Sequence, residues 1–368
     1  MRVVIAGGGT GGHLYPGIAV ARELLARRPD AQVSFAGTAR GIESRVIPRE
    51  GFALDVIRSG GIKGKSVADR ARGASLLPAS LVDAWRIVST RRPDLVIGVG
   101  GYSSGPVVLV AALRRVPTML LEQNAVPGLT NRLLARFVGA AGVTYESTTA
   151  FFGAKAFVSG NPVRPEFLAT AGSSSESGVD EHASITRVLV FGGSQGAHAI
   201  NVAMVEAAAE LAAGRPRVHL THQTGERDVE MVRGAYREAG LQAIVEPFLY
   251  DMGNQLRQAD LIVSRAGATT LAELTAAAKP AILVPLPTAT DDHQRKNAEA
   301  LAATGAADLL LQSEMTGSVL AQRILALAAD RAARARMSLA ARAMAKPDAA
   351  RVIVDRALEL VRPDHRAR

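Results

Sequence analysis

The residues with chemistry to offer stand just after short apolar runs. His13 closes Gly7-Gly8-Gly9-Thr10-Gly11-Gly12, which follows the run 2–6 and precedes an apolar-periodic stretch at 18–25. An imidazole there can accept a proton near neutral pH, and it can equally cap a helix. The glycines let a turn close and let backbone amides approach an anion at the helix N-terminus. Gly100-Gly101-Tyr102-Ser103-Ser104-Gly105-Pro106 follows the run 94–99 in the same manner. Glu122-Gln123-Asn124 follows 118–121, and Asn131 lies about two helical turns beyond Asn124, so both amides can share a helix face. Such polar side chains suit a hydroxyl-rich ligand such as a sugar, or they cap helices.

The second half repeats the logic. Ser264-Arg265-Ala266-Gly267 ends a strand and Ala268-Thr269-Thr270-Leu271-Ala272-Glu273 opens a helix. Small residues admit a diphosphate to the helix N-terminus, where the dipole favours it. A carboxylate about one turn inside can accept from two ribose hydroxyls. Asp291-Asp292-His293-Gln294 enters another helix. These acids are adjacent, without a spaced Asp-x-Asp pair, and the chain has no cysteine, so no metal is expected.

The elements that must position these residues alternate. Strands are predicted at 2–6, 32–36, 94–99, 118–121, 187–191, 219–223, 243–247, 261–264 and 281–284, with helices between them and from 200 to 212. An almost wholly helical tail is predicted from 313. That alternation implies an α/β protein with parallel sheets. The segment 2–13 aligns without gaps on 187–198, strand and glycine turn in both, which argues for two Rossmann-like halves binding ligand at the strand carboxyl ends. The boundary falls near Arg164, giving domains 1–164 and 165–347, and a C-terminal helix at about 348–368 that returns to the first. Residues 172–182 are Ser-rich and read as a surface loop.

Composition narrows the classes. The chain of 368 residues suits two domains, and no run approaches the ~20 apolar residues of a membrane span. Residues 1–164 carry 21 lysines and arginines against 10 acids, net +11; the rest nets −2. No nucleic-acid module accompanies the basic half. The second predicted strand ends Phe35-Ala36-Gly37-Thr38 without an acid, which disfavours a nicotinamide dehydrogenase. No Lys-Ser/Thr follows the first glycines, which disfavours a nucleoside-triphosphate loop.

In order and spacing, GGGTGGHLYPGIAVA, GGYSSGP, LLEQNAVPGLTNRLLA, NPVR, GGSQGA, SRAGATTLAE and DDHQRKNA resemble the MurG family of bacterial glycosyltransferases, from Val3 to about Asn297. The resemblance implies a GT-B fold, two Rossmann-like domains facing across a cleft. It implies inverting transfer of GlcNAc from UDP-GlcNAc to the 4-hydroxyl of MurNAc in lipid I, undecaprenyl-pyrophosphoryl-MurNAc-pentapeptide, giving lipid II for peptidoglycan without a metal or cofactor. By motif, Thr10, Gly11, Gly12, Asn124, Arg164 and Ser194 would contact the donor. Leu249 and the run Ala268, Thr269, Thr270, Leu271, Ala272, Glu273 would surround its uracil, ribose and diphosphate, and Gln294 its GlcNAc hydroxyls. His13 is the candidate general base, with Tyr102, Glu122, Asn124 and Asn131 shaping the acceptor side. Arg265 or Arg164 would add a cation near phosphate.

The resemblance also gives the basic half a use. Lys63, Lys65, Arg70, Arg72, Arg86, Arg91 and Arg92 surround Leu76, Leu77, Leu81 and Trp85, as for docking on the anionic inner face of the cytoplasmic membrane. The alternative is an amphipathic helix whose apolar side is core, and Asp69 and Asp83 interrupt the patch. Peripheral location on that face follows, with cell-wall or division machinery as candidate partners. Three other readings stay open: another UDP-sugar transferase with a lipid acceptor, a UDP-sugar epimerase, and a non-enzymatic nucleotide-sugar-binding subunit.

Overall fold

The computed structural model describes residues 1–60, 75–168, 185–193 and 196–361. The chain divides into two units: Met1–Arg164 with the stretch from Lys346, and Pro165–Ala345.

The first unit is built on a seven-stranded parallel sheet. Its strands are β1 (Arg2–Gly7), β2 (Gln32–Gly37), β3 (Ala53–Val56), β4 (Leu95–Gly100), β5 (Thr118–Glu122), β6 (Ala140–Val143) and β7 (Ala156–Val158), in the order β3-β2-β1-β4-β5-β6-β7. Successive side chains of a strand point to opposite faces. Val3 and Ile5 therefore enter one apolar layer with Leu14 and Leu24, while Val4 and Ala6 enter another with Val88 and Val107. Burial on both faces explains why these strands read as continuous apolar runs. The helix Ala349–Val361 adds Ile353, Val354 and Ala357 to the first layer, and Arg27 Nη1 meets Asp355 Oδ1 at 2.5 Å.

The second unit repeats the plan with β8 (Ile185–Phe191), β9 (Arg217–Gln223), β10 (Ala243–Glu246), β11 (Leu261–Ser264), β12 (Ala281–Leu283) and β13 (Ala307–Leu309). Their order is β10-β9-β8-β11-β12-β13, all parallel. The duplication extends beyond the glycine turns. The Arg2 N–H donates to Asp94 Oδ2 and the Arg187 N–H to Asp260 Oδ2, both at 2.8 Å. Each aspartate precedes the strand that pairs with its unit's first strand on the far side of the order reversal.

All nine predicted strands are present, 261–264 with the same ends and the other eight with one or both ends shifted by one or two residues, and β3, β6, β7 and β13 are additional. Those four are three or four residues long and include sequences such as AAGV and ADL, too short and too poor in β-branched side chains to signal a strand. The predicted helix 200–212 is two helices, His198–Glu206 and Ala208–Ala213, and the tail folds as Gly317–Ala329, Arg331–Met344 and Ala349–Val361. Thr316 and Asp330 cap the first two of these by accepting from Val319 and Ala333 N–H.

Candidate active site

In each sheet the strand order reverses beside the first strand, between β1 and β4 and between β8 and β11. The crevice outside the strand ends at such a point is where open α/β sheets take ligands.

At the first crevice, Thr10 precedes the helix Gly11–Arg27, whose first turn has no acid to offset the dipole. The Thr10 hydroxyl lies 3.1 Å from His13 Nδ1. In the tautomer whose Nδ1–H donates to that hydroxyl, the ring's lone pair is on Nε2. The imidazole lies against Gly100, where a Cβ would fall 2.7 Å from His13 Cδ2; Gly100 also has φ +94°, so glycine is required twice over. Tyr102, just beyond, is 42% exposed.

Glu122 ends β5 and is buried. Its Oε1 accepts from Asn124 N–H (3.0 Å) and Asn124 Nδ2 (3.2 Å), and its Oε2 from Gly128 N–H and Asn131 Nδ2, both at 2.9 Å. Burial pushes its carboxyl up, and the hydrogen bonds from Asn124, Asn131 and Gly128 only partly offset that. Asn124 and Asn131 do not share a helix face: the helix is Leu129–Leu134, and Asn124 stands in the loop before it. What joins them is the Glu122 carboxylate. Arg164 stacks over the Tyr15 ring, 5.0 Å from its centroid.

At the second crevice, Ser194 lies outside the described residues. The helix Ala268–Ala276 begins after Gly267 with no side-chain cap and no acid in its first turn. Ala268, Thr269, Thr270 and Ala272 are partly exposed along it, Glu273 is buried at 7% exposure, and Leu271 packs into the core with Leu249. Arg265 is committed elsewhere: Nη1 donates to Val284 O and Pro285 O, each at 3.1 Å, and Nη2 to Gln312 Oε1 at 2.8 Å. Burial pushes its guanidinium down to about 10. Gln294 Oε1 accepts from Leu286 N–H at 3.0 Å, which identifies the other terminal atom as the amide nitrogen, a donor.

Two constellations carried no signal in the sequence. Glu43, buried, accepts from Gly9 N–H and from both N–H and hydroxyl of Thr38. It supplies an acid at the end of β2 after all, from six residues downstream of Gly37, and turns it into the glycine loop. In the second unit, Asn201 Nδ2 donates to Thr224 O and Asp228 Oδ2, both at 2.8 Å, and Asp228 also meets His198 Nδ1 at 2.9 Å. Asn201 Oδ1 therefore accepts from His222 Nε2–H (3.0 Å), which leaves His222 Nδ1 to accept from the Tyr236 hydroxyl (2.8 Å). His198 thus belongs to a polar network with Asp228, Asn201, His222 and Tyr236.

Glycosyltransferase family 28 N-terminal and C-terminal domain models match residues 3–143 and 187–353. This chain belongs to glycosyltransferase family 28. It is 48% identical to a UDP-N-acetylglucosamine--N-acetylmuramyl-(pentapeptide) pyrophosphoryl-undecaprenol N-acetylglucosamine transferase of Pelobacter propionicus, covering 97% of this chain and 99% of that protein. A transferase of the same name from Anaeromyxobacter sp. is 47% identical over 98% and 94%. The crystal structure of Acinetobacter baumannii MurG superposes with a TM-score of 0.79 at 32% identity, covering 97% and 99% of the two chains. The expected GT-B class of two parallel-sheet α/β domains is thereby established for this family member. Among the described residues, no group of three or more His, Asp or Glu could hold a metal ion, and no helix is long and apolar enough to cross a membrane.

Proposed function

We propose that this family 28 enzyme transfers GlcNAc from UDP-GlcNAc to the 4-hydroxyl of MurNAc in lipid I, with inversion, forming lipid II. The near-full-length identity to transferases of that name carries this reading. His13 takes the proton of the acceptor hydroxyl at Nε2 as the oxygen bonds to the GlcNAc anomeric carbon, and the bond from that carbon to the β-phosphate oxygen breaks. UDP leaves with its negative charge in the field of the uncapped N-terminus of Ala268–Ala276. Glu273 accepts from the ribose hydroxyls, and Gln294 donates to the sugar. Glu122 acts through Asn124 and Asn131, holding the acceptor-side loop by its four N–H donors. Arg265 holds the loop after β12, so its charge reaches phosphate only through the field it adds. Leu249 and Leu271 serve the donor pocket as core. The reaction needs neither metal nor cofactor.

Membrane docking is part of the proposal. Residues 61–74, and with them Lys63, Lys65, Arg70 and Arg72, lie outside the described residues. The helix Leu77–Arg91 turns Ser80, Asp83, Ala84, Ile87 and Val88 inward and leaves Leu77, Leu81, Val82 and Trp85 exposed. Core and surface thus use different apolar residues, so the docking patch does not compete with packing. Asp83 does not interrupt it: the residue is buried and binds Arg58 at 2.7 Å. Arg91 is paired with Asp55, while Arg114 stacks on Trp85. This supports attachment to the anionic inner face of the cytoplasmic membrane, where lipid I would be met.

The test is transfer from labelled UDP-GlcNAc to a short-prenyl lipid I analogue, with and without chelator. Labelled lipid-linked disaccharide in both arms is expected. Product only on a diacylglycerol acceptor would replace lipid I with another lipid, and product lost with chelator would overturn metal independence.

A further inference from the structure

We propose that Glu43 is a positioning residue for this transfer: its carboxylate holds the loop 7–10 in the path that sets His13 against Gly100. The inference rests on the transfer reading above.

The carboxylate is fully buried, and both of its oxygens are used. Oε2 accepts from Gly9 N–H at 2.9 Å, and Oε1 from Thr38 N–H at 2.8 Å and the Thr38 hydroxyl at 2.7 Å. Thr38 Oγ in turn accepts from Gly41 N–H at 3.1 Å, so the turn carrying Glu43 is tied to the same carboxylate. Burial pushes the carboxyl up, but the bonds from Gly9 and Thr38 outweigh it and hold Glu43 below the ordinary carboxylate range, ionised at neutral pH. Hydrogen bonds to a carboxylate are shorter and stronger than neutral ones.

Three glycines crowd this group. A Cβ on Gly8 would fall 2.6 Å from the carboxylate carbon, one on Gly37 2.7 Å from Cγ, and one on Gly41 2.1 Å from Oε2. The contact continues toward the site. A Cβ on Gly101 would fall 2.6 Å from Gly8 O, and one on Gly100 2.7 Å from His13 Cδ2. Glu43, Gly8, Gly101 with Gly100, and His13 are therefore stacked with no room for a methyl group at any step. Packed interiors transmit such displacements because no void absorbs them. Moving Gly8 moves the seat of the imidazole. The Gly9 N–H is also spent on Glu43, so an anion approaching this loop must be met by other amides.

The test is Glu43→Gln, with Thr38→Val as a second variant that keeps the charge and removes one donor. In Glu43→Gln an amide nitrogen faces either Gly9 N–H or the Thr38 donors, so the anchor breaks without a change of size. Expected are a fall of at least tenfold in kcat, a UDP-GlcNAc KM within about threefold of the parent, and faster amide exchange over residues 7–13. Thr38→Val should move kcat and exchange in the same direction by less, and it carries the test if Glu43→Gln does not fold. Unchanged exchange, or faster exchange with kcat within twofold of the parent, overturns the positioning role. A parent enzyme that transfers no sugar counts against the proposed function instead, and exchange then decides the anchor alone.

Discussion

Glu122→Gln separates a carboxylate that shapes a loop from one that moves a proton. Both Glu122 oxygens accept two N–H donors each, from Asn124 twice and from Gly128 and Asn131, and the residue is only 3% exposed. Glutamine keeps one oxygen, so whichever way the amide is turned, its nitrogen faces two donors and strands them. A buried donor left without a partner costs about 1–3 kcal/mol. Relief from burying a charge, the same burial that pushes this carboxyl up, offsets part of that. The expected net loss is about 3 kcal/mol, which at about 2–4 °C per kcal/mol for a unit of this size lowers its transition by roughly 6–12 °C. Scanning calorimetry reads the shift against the second unit's transition, and amide exchange over 123–131 reads the loosened loop. A variant that melts with the parent, keeps its exchange protection and yet loses kcat by orders of magnitude would refute the loop account and make Glu122 an acid or base.

His13→Ala should lower kcat by about 10²–10⁴, the range for loss of a general base, while UDP-GlcNAc still binds by calorimetry; intact turnover with weakened binding would remove His13 from that role. Glu273→Ala should weaken UDP binding, and an unchanged affinity in titration calorimetry would take it off the ribose. Trp85→Ala should weaken sedimentation with anionic phospholipid vesicles about tenfold, given its 56% exposure and the ~1.5–3 kcal/mol of burying a large apolar side chain; undiminished binding would move the docking surface elsewhere. Burial pushes His222 down to about 3, so between there and its unfolded value near 6.5 only the unfolded chain takes a proton. Its contribution is therefore complete above about pH 6.5 and is lost as pH falls, by up to ~1.4 kcal/mol per pH unit. Urea unfolding of the second unit across that range should show this slope, and His222→Gln should flatten it.

Much was legible in the sequence because it is written in local terms. Continuous apolar runs ending in glycine announced strands buried on both faces, and the aligned segments 2–13 and 187–198 announced the duplicated plan. The ordered motifs pointed to the family. The sequence also placed His13, Asn124, Asn131 and Glu273 near strand ends, which the sheet order then put at or beside the reversal points. Tertiary structure decided what each side chain is free to do. Asn124 and Asn131 meet on Glu122 because a loop folds back, not because of helical spacing. Arg265 faces carbonyls, a commitment set by β12 and Gln312. Asp83 turns to the buried side of its helix, away from the patch that its charge was expected to interrupt. Glu43 reaches the first glycine loop only because β2 lies beside β1 in the sheet. Strand and turn signals depend on neighbours along the chain, whereas the partner of a buried charge depends on which distant segments pack together, and no spacing in the sequence encodes that.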